Sequence, residues 1–76
     1  MVRAYIFIEA HKARDLRVEE EIAALPGVKQ ADLVTGRFDV VALVEVDELG
    51  ALWDLVDRIQ AQPAVVKTTT NVVVQR

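Results

Sequence analysis

Cysteine and serine are both absent from this 76-residue chain, and histidine occurs once, as His11. Without cysteine there are no disulfides and no thiolate-held metal. Without serine or cysteine, Ser-His-Asp and Cys-His nucleophilic machinery is excluded. A single imidazole cannot hold zinc unless several carboxylates stand beside it, so neither a metal nor a cofactor is expected. Glycine is also scarce, at three residues, and no Gly-rich phosphate loop occurs. Nine basic residues against twelve acidic ones give a net charge of −3. The basic residues are scattered, as in Lys12, Arg14 and Arg17, and form no stripe for a phosphate backbone. Direct contact with nucleic acid is therefore not expected. The apolar runs fall short of a membrane span, and no basic start followed by an apolar stretch reads as a signal peptide. The default expectation is a cytoplasmic protein with no membrane partner.

What the chain does have is apolar residues, at 53% of the total against about 45–50% in average soluble domains. A domain this small has much surface per residue and only a modest core, so it is marginally stable alone. Disulfides and metals being excluded, the remaining source of stability is association, and the apolar excess points the same way. Residues 1–76 are expected to form one domain that assembles with further copies of itself.

Six elements follow from periodicity. "VRAYIFIE" (residues 2–9) is β-branched and aromatic and reads as a strand. In "ARDLRVEEEIAAL" (13–25), Val18, Ile22 and Leu25 share one helical face, Asp15 is a candidate N-cap, and Pro26-Gly27 stops the helix. Leu16 falls roughly 200° from Val18 at 100° per residue, which predicts an irregular first turn. "VKQADLV" (28–34) is a polar strand, and "FDVVALVEV" (38–46) is a nearly continuous apolar one. Asp47 is placed to cap a second helix, "ELGALWDLVDRIQ" (48–60), with Leu49, Leu52, Trp53, Val56 and Ile59 as its core stripe. Trp53 is expected in the core rather than as a stacking platform. "VVKTTTNVVVQ" (65–75) is the last strand.

The order β-α-β-β-α-β is reinforced by an internal repeat. Ile22, Pro26 and Val28 recur as Ile59, Pro63 and Val65, each displaced by 37 residues. A duplicated βαβ unit describes an α+β, ferredoxin-like fold with a four-stranded antiparallel sheet. Its first and third strands are central. Lys29, Gln30, Lys67 and Asn71 mark the other two as exposed edges. Two helices cover one face of such a sheet, yet both faces are apolar in the central strands. Val2, Ala4, Ile6 and Ile8 oppose Tyr5 and Phe7, and Val40, Ala42 and Val44 oppose Val41 and Leu43. Leaving the second face wet is costly at roughly 25 cal/mol per Å². Sheet-to-sheet packing with a second copy, giving a dimeric α/β-barrel, resolves this.

Two stretches are candidates for chemistry. In Thr35-Gly36-Arg37-Phe38-Asp39, the bland reading is turn chemistry, with Gly36 at positive φ and Thr35 or Asp39 bonding local N–H groups. The sharper reading starts from Asp39, a carboxylate beside an apolar run, which an ammonium group would suit. In Thr68-Thr69-Thr70, threonine is simply a good strand former, although three hydroxyls could also serve a small polar ligand at a subunit junction. Alternation puts Thr68 and Thr70 on one face and Thr69 on the other. His11, beside Lys12 in a polar connection, reads as a solvated loop residue rather than a general base.

The hairpin "VTGRFD" followed by "VVALVEV", the helix stop "LPGV" and the ending "PAVVKTTTNVVV" together resemble the ligand-binding domain of the Lrp/AsnC family. Those proteins are transcription regulators of amino-acid metabolism in bacteria and archaea. The resemblance implies a βαββαβ domain that dimerises through its sheets and assembles into octamer-like rings, with an amino-acid effector bound between dimers. On one side of that site it places Thr35, Gly36 and Asp39, with Val34, Arg37 and Phe38 adjacent. On the other it places Thr68, Thr69 and Thr70 of a neighbouring copy. Full-length members carry an N-terminal helix-turn-helix, whereas Met1 here leads directly into the first strand. The expectation is thus a stand-alone, non-enzymatic module that senses a metabolite or forms mixed assemblies with full-length regulators. Two other readings stay open. One is a small dimeric α/β-barrel enzyme of the cofactorless monooxygenase or isomerase type, which shares this fold. The other is a structural partner without a ligand.

Overall fold

Strands β1 (Val2–Ala10) and β3 (Val40–Val46) form the centre of the sheet, paired antiparallel from Val2↔Val46 to Ile8↔Val40. The computed structural model describes residues 1–76. Strand β2 (Val28–Leu33) flanks β3, and β4 (Val65–Val72) flanks β1, giving the order β2-β3-β1-β4. Between them run the helices α1 (Ala13–Leu16), α2 (Val18–Ala23) and α3 (Leu49–Gln60). This is the ferredoxin-like arrangement, with the two most apolar strands central and the two polar strands at the edges.

The core follows from alternation along the central strands. Ala4, Ile6 and Ile8 of β1 and Val40, Ala42 and Val44 of β3 are fully buried beneath the helices. All thirteen buried residues are apolar, and the one enclosed polar atom left without a partner is Glu19 Oε1, on a half-buried side chain. The opposite face keeps Tyr5 exposed at 42% and Phe7, Val41 and Leu43 half-buried. Polar pairs frame that apolar centre, with Arg3–Glu45 at 3.4 Å and Gln30 donating to Asp32 at 2.7 Å.

The duplication extends to the backbone hydrogen bonds. After α2, Ala24 N–H donates to Glu20 O, Leu25 N–H to Ile22 O and Val28 N–H to Leu25 O. After α3, Ala61, Gln62 and Val65 repeat these bonds to Asp57, Ile59 and Gln62. The same helix-to-strand corner is therefore built twice, with identical side chains at the isoleucine, alanine, proline and valine positions, Ile22/Ile59, Ala24/Ala61, Pro26/Pro63 and Val28/Val65. At the first corner Gly27 has φ 97°, and a Cβ there would lie 3.1 Å from the Val46 side chain.

Five local expectations are corrected. The first helix is not continuous, because Arg17 adopts a left-handed conformation (φ 52°) that separates α1 from α2. The reason lies in the helical phase. Ala13 and Val18 are both buried, but five residues apart they would point roughly 140° from each other on one helix. The break resets the phase so that both reach the core. A left-handed residue costs about 1–2 kcal/mol, and full burial of Val18 returns roughly 1.5–3 kcal/mol, so the break wins. Leu16, out of phase, is left 50% exposed.

Asp15 accordingly lies inside α1 and caps nothing, and the flanking position belongs to Lys12, also left-handed at φ 49°. At the third helix the capping position is Glu48 rather than Asp47, and no side-chain cap bond forms there. In α3 the buried stripe is Leu52, Leu55, Val56 and Ile59, while Trp53 is 51% and Leu49 48% exposed. Both leucine-rich stripes suit a helical period, but the one centred between Leu52 and Ile59 meets the sheet. Trp53 sits roughly 100° from that centre. Strand ends also shift. Strand β3 starts at Val40 rather than Phe38, β2 ends at Leu33, and β4 ends at Val72. Beyond the last of these, Val73 N–H still donates to Arg3 O at 2.8 Å.

Candidate functional site

The connection between β2 and β3 is closed at its base by Val34 N–H donating to Asp39 O at 2.9 Å. Gly36 turns it at φ 102°, and nothing lies within 4 Å of where its Cβ would be. Glycine is needed here for its backbone freedom and not for space. Phe38 anchors the loop on the open face of the sheet, its ring 5.2 Å from that of Phe7. The Arg37 guanidinium rides 5.6 Å over the same ring.

The side chain of Asp39 makes no bond within its own turn. The residue's N–H donates to Ile8 O at 2.9 Å, and its Oδ2 accepts the Ala10 N–H at 2.8 Å, a link across 29 residues. The carboxylate thus ties the hairpin to the end of β1, where the strand pairing with β3 has stopped at Ile8↔Val40. Its other oxygen makes no hydrogen bond or ion pair within the chain. The local-turn interpretation is replaced by a tertiary clamp with one free acceptor.

Asp39 borders a solvent-open cleft of about 440 Å³. Leu33, Val34, Thr35 and Asp39 line it from the hairpin side, and Ala10, Lys12, Ala13, Arg14 and Asp15 from the β1–α1 side. The volume falls in the roughly 300–1,000 Å³ range of small-molecule sites. Of the six hairpin candidates, Val34, Thr35 and Asp39 therefore share the cleft. Gly36 shapes the loop, while Arg37 and Phe38 stand together outside the lining. A second cleft, of about 380 Å³, is lined by Pro26, Gly27, Glu45, Asp47, Asp54 and Arg58 among others, and contains none of the candidates.

The threonines lie across β1 from the hairpin. Thr68 pairs with Ile8 and Thr70 with Ile6 on the helix-covered face, and Thr69 pairs with Phe7 on the open face. Thr68 Oγ1 accepts a hydrogen bond from Gln60 Nε2 at 2.8 Å. One chain does not bring them into the hairpin cleft, so any joint site requires a second copy. His11 is exposed, and its N–H donates to Ala64 O at 2.7 Å, a purely backbone role in the fold. Sequence reasoning missed the second wall of the cleft. Lys12 and Arg14 read as scattered charge and Asp15 as a helix cap, and no signal along the chain places them beside the hairpin.

The model of the Lrp/AsnC ligand-binding domain matches residues 3–76 of the chain. Among solved structures, TTHA0845 from Thermus thermophilus is 32% identical, with a TM-score of 0.90 over all of this chain and 96% of that one. FFRP-DM1 is 31% identical, with a TM-score of 0.87 over 97% of this chain and all of the other. AsnC of E. coli is 26% identical, with a TM-score of 0.84 over 99% of this chain but only 52% of its own. None of the curated proteins compared matches.

Proposed function

The chain belongs to the Lrp/AsnC ligand-binding-domain family, and from that premise we propose that it is a non-enzymatic module that binds an amino acid and oligomerises. The observation that carries this reading is Asp39. It is a half-buried residue that lines the cleft, with one carboxylate oxygen fixed by the Ala10 N–H at 2.8 Å and the other unbonded within the chain. A fixed, singly occupied carboxylate is a ready acceptor for an ammonium group. The structure of NMB0573 from Neisseria meningitidis is a complex with L-Met. It is 21% identical to this chain and is informative about the fold only, so the ligand class here rests on Asp39.

Assembly follows from the open face of the sheet. Tyr5, Phe7, Val41 and Leu43 form an apolar centre framed by the Arg3–Glu45 pair and the polar edge strands. Packing that face against a second copy removes the apolar centre from water while leaving the hairpin end of the sheet free. Dimers meeting at that end bring Thr68, Thr69 and Thr70 of a neighbouring copy toward Thr35, Gly36 and Asp39. This yields an octamer-like ring or a mixed assembly with regulators that carry a DNA-binding domain. A thermal-shift screen with the twenty proteinogenic amino acids tests the reading. At least one should raise the melting temperature, since a ligand that binds only the folded state stabilises it by mass action.

A further inference from the structure

The helices leave two apolar spots uncovered, and the charges around them have opposite sign. On α3, Leu49 is 48% and Trp53 51% exposed. At 100° per residue they share an arc of roughly 140° with Gly50, Asp54 and Asp57, all of them exposed. The Glu48 carboxylate lies over the same arc, because its Oε1 is 2.8 Å from where a Cβ on Gly50 would be. This flank is an apolar ridge rimmed by three carboxylates, with Arg58 beyond its margin. At α1, Leu16 is 50% exposed, turned out of the core between buried Ala13 and buried Val18. Exposed Lys12, Arg14 and Arg17 surround it, against one carboxylate, Asp15. The chain's ion pairs are Arg3–Glu45 and Arg17–Glu20, so Lys12, Arg14, Glu48, Asp54 and Asp57 are all unpaired.

Charge decides what can cover these spots. Packing α3 on α3 sets carboxylates against carboxylates, and packing α1 on α1 sets cations against cations; like charges facing across an interface are strongly disfavoured. Packing α1 on α3 joins opposite signs and covers Leu16, Leu49 and Trp53 together. Within one chain all three stay exposed, so the contact needs a second copy. Gly50 suits it. A methyl group there would meet only the flexible end of Glu48, so the fold does not demand glycine, whereas the bare backbone allows a close approach beside Trp53.

We propose that α1 of one copy docks on the Leu49 and Trp53 flank of α3 in another. Leu16 supplies the apolar contact, and Lys12 and Arg14 face Asp54 and Asp57. Each copy offers one α1 and one α3, so the contact extends a sheet-to-sheet dimer into a larger assembly. It uses neither the open face of the sheet nor Asp39, and therefore stands or falls apart from both.

Trp53 is the chain's one tryptophan, so its fluorescence reports the contact while light scattering gives the mass. At low salt the full wild-type chain should exceed a dimer, and Trp53 emission should move to shorter wavelength as protein concentration rises. Asp54→Lys with Asp57→Lys reverses the acidic flank. Lys12→Asp with Arg14→Glu reverses the basic one, aspartate being chosen because it tolerates the left-handed backbone at position 12. Each pair should weaken the association at least about tenfold, leaving dimers with an exposed indole. An equimolar mixture of the two should regain the larger mass and the short-wavelength emission, since the unchanged α1 of one meets the unchanged α3 of the other. Circular dichroism checks that both are folded. A further arm needs no substitution: raising salt from about 0.01 M to about 1 M shortens the screening length from about 30 Å to about 3 Å and should return wild type to dimers. The inference is overturned if wild type never exceeds a dimer, or does so with Trp53 emission unchanged. It is equally overturned if either variant matches wild type, if the mixture stays dimeric, or if salt leaves the assembly intact.

Discussion

Removing the Asp39 side chain separates what that residue does for the fold from what it does for a ligand. Asp39→Ala deletes the acceptor of the Ala10 N–H, a 2.8 Å bond between the hairpin and the end of β1. A hydrogen bond to a charged acceptor contributes about 1.5–3 kcal/mol, and this one is only part-buried, so the lower end, about 1.5–2 kcal/mol, is expected. For a domain of this size each kcal/mol shifts the melting temperature by about 4–8 °C, giving a loss of roughly 6–16 °C. Asp39→Asn keeps an oxygen that can accept the same N–H and loses only the charge. Its expected cost is under about 1 kcal/mol, the scale of a neutral hydrogen bond retained. The asparagine variant should thus melt near wild type and lose amino-acid binding, whereas the alanine variant should lose both stability and binding. Differential scanning calorimetry with and without ligand reads both effects. If Asp39→Ala melts within a degree or two of wild type, the clamp between hairpin and strand end contributes nothing and the account of this residue is wrong.

Gly36→Ala should destabilise by about 1–2 kcal/mol from its φ of 102° alone, since no atom obstructs a methyl group there, and urea unfolding would measure it. Leu55→Ala should cost about 2–5 kcal/mol because Leu55 is 3% exposed, and Trp53→Ala well under that because Trp53 is 51% exposed. The reverse order in chemical denaturation would mean that the other stripe of α3 faces the sheet. Phe7→Asp puts a charge into the apolar centre of the open face without touching the core face. Light scattering should find wild type at least dimeric and this variant dissociated. A variant that keeps the wild-type mass would refute sheet-to-sheet association.

Much of this fold was legible because its signals are local and repeated. Strand alternation and the proline stops each act within a few residues, the 37-residue displacement of Ile22, Pro26 and Val28 repeats them, and the sheet order followed from which strands were polar. Alternation also separated Thr69 from Thr68 and Thr70, as the β1 register bears out. What sequence could not supply were choices made by tertiary packing. Two apolar stripes fit α3 equally well, and only contact with the sheet selects Leu55 over Trp53. The break at Arg17 was visible as the misfit of Leu16, but the left-handed residue that produces it was not. Asp39 looked like a turn residue because its partner, the Ala10 N–H, lies 29 residues away. Lys12 and Arg14 looked like solvated charge, since nothing along the chain places them opposite the hairpin.

The central claim is that the free oxygen of Asp39 awaits an ammonium group. Thermal shift across the twenty amino acids, run on wild type and Asp39→Asn side by side, measures it most directly. At about a hundred times its Kd, a ligand adds about 2.7 kcal/mol. Wild type should therefore rise by about 10 °C or more with at least one amino acid, on the scale of 4–8 °C per kcal/mol. Asp39→Asn, folded and with a similar melting temperature in the absence of ligand, should not respond. An equal rise in both proteins, or no rise in wild type with any of the twenty at millimolar concentration, would contradict the claim.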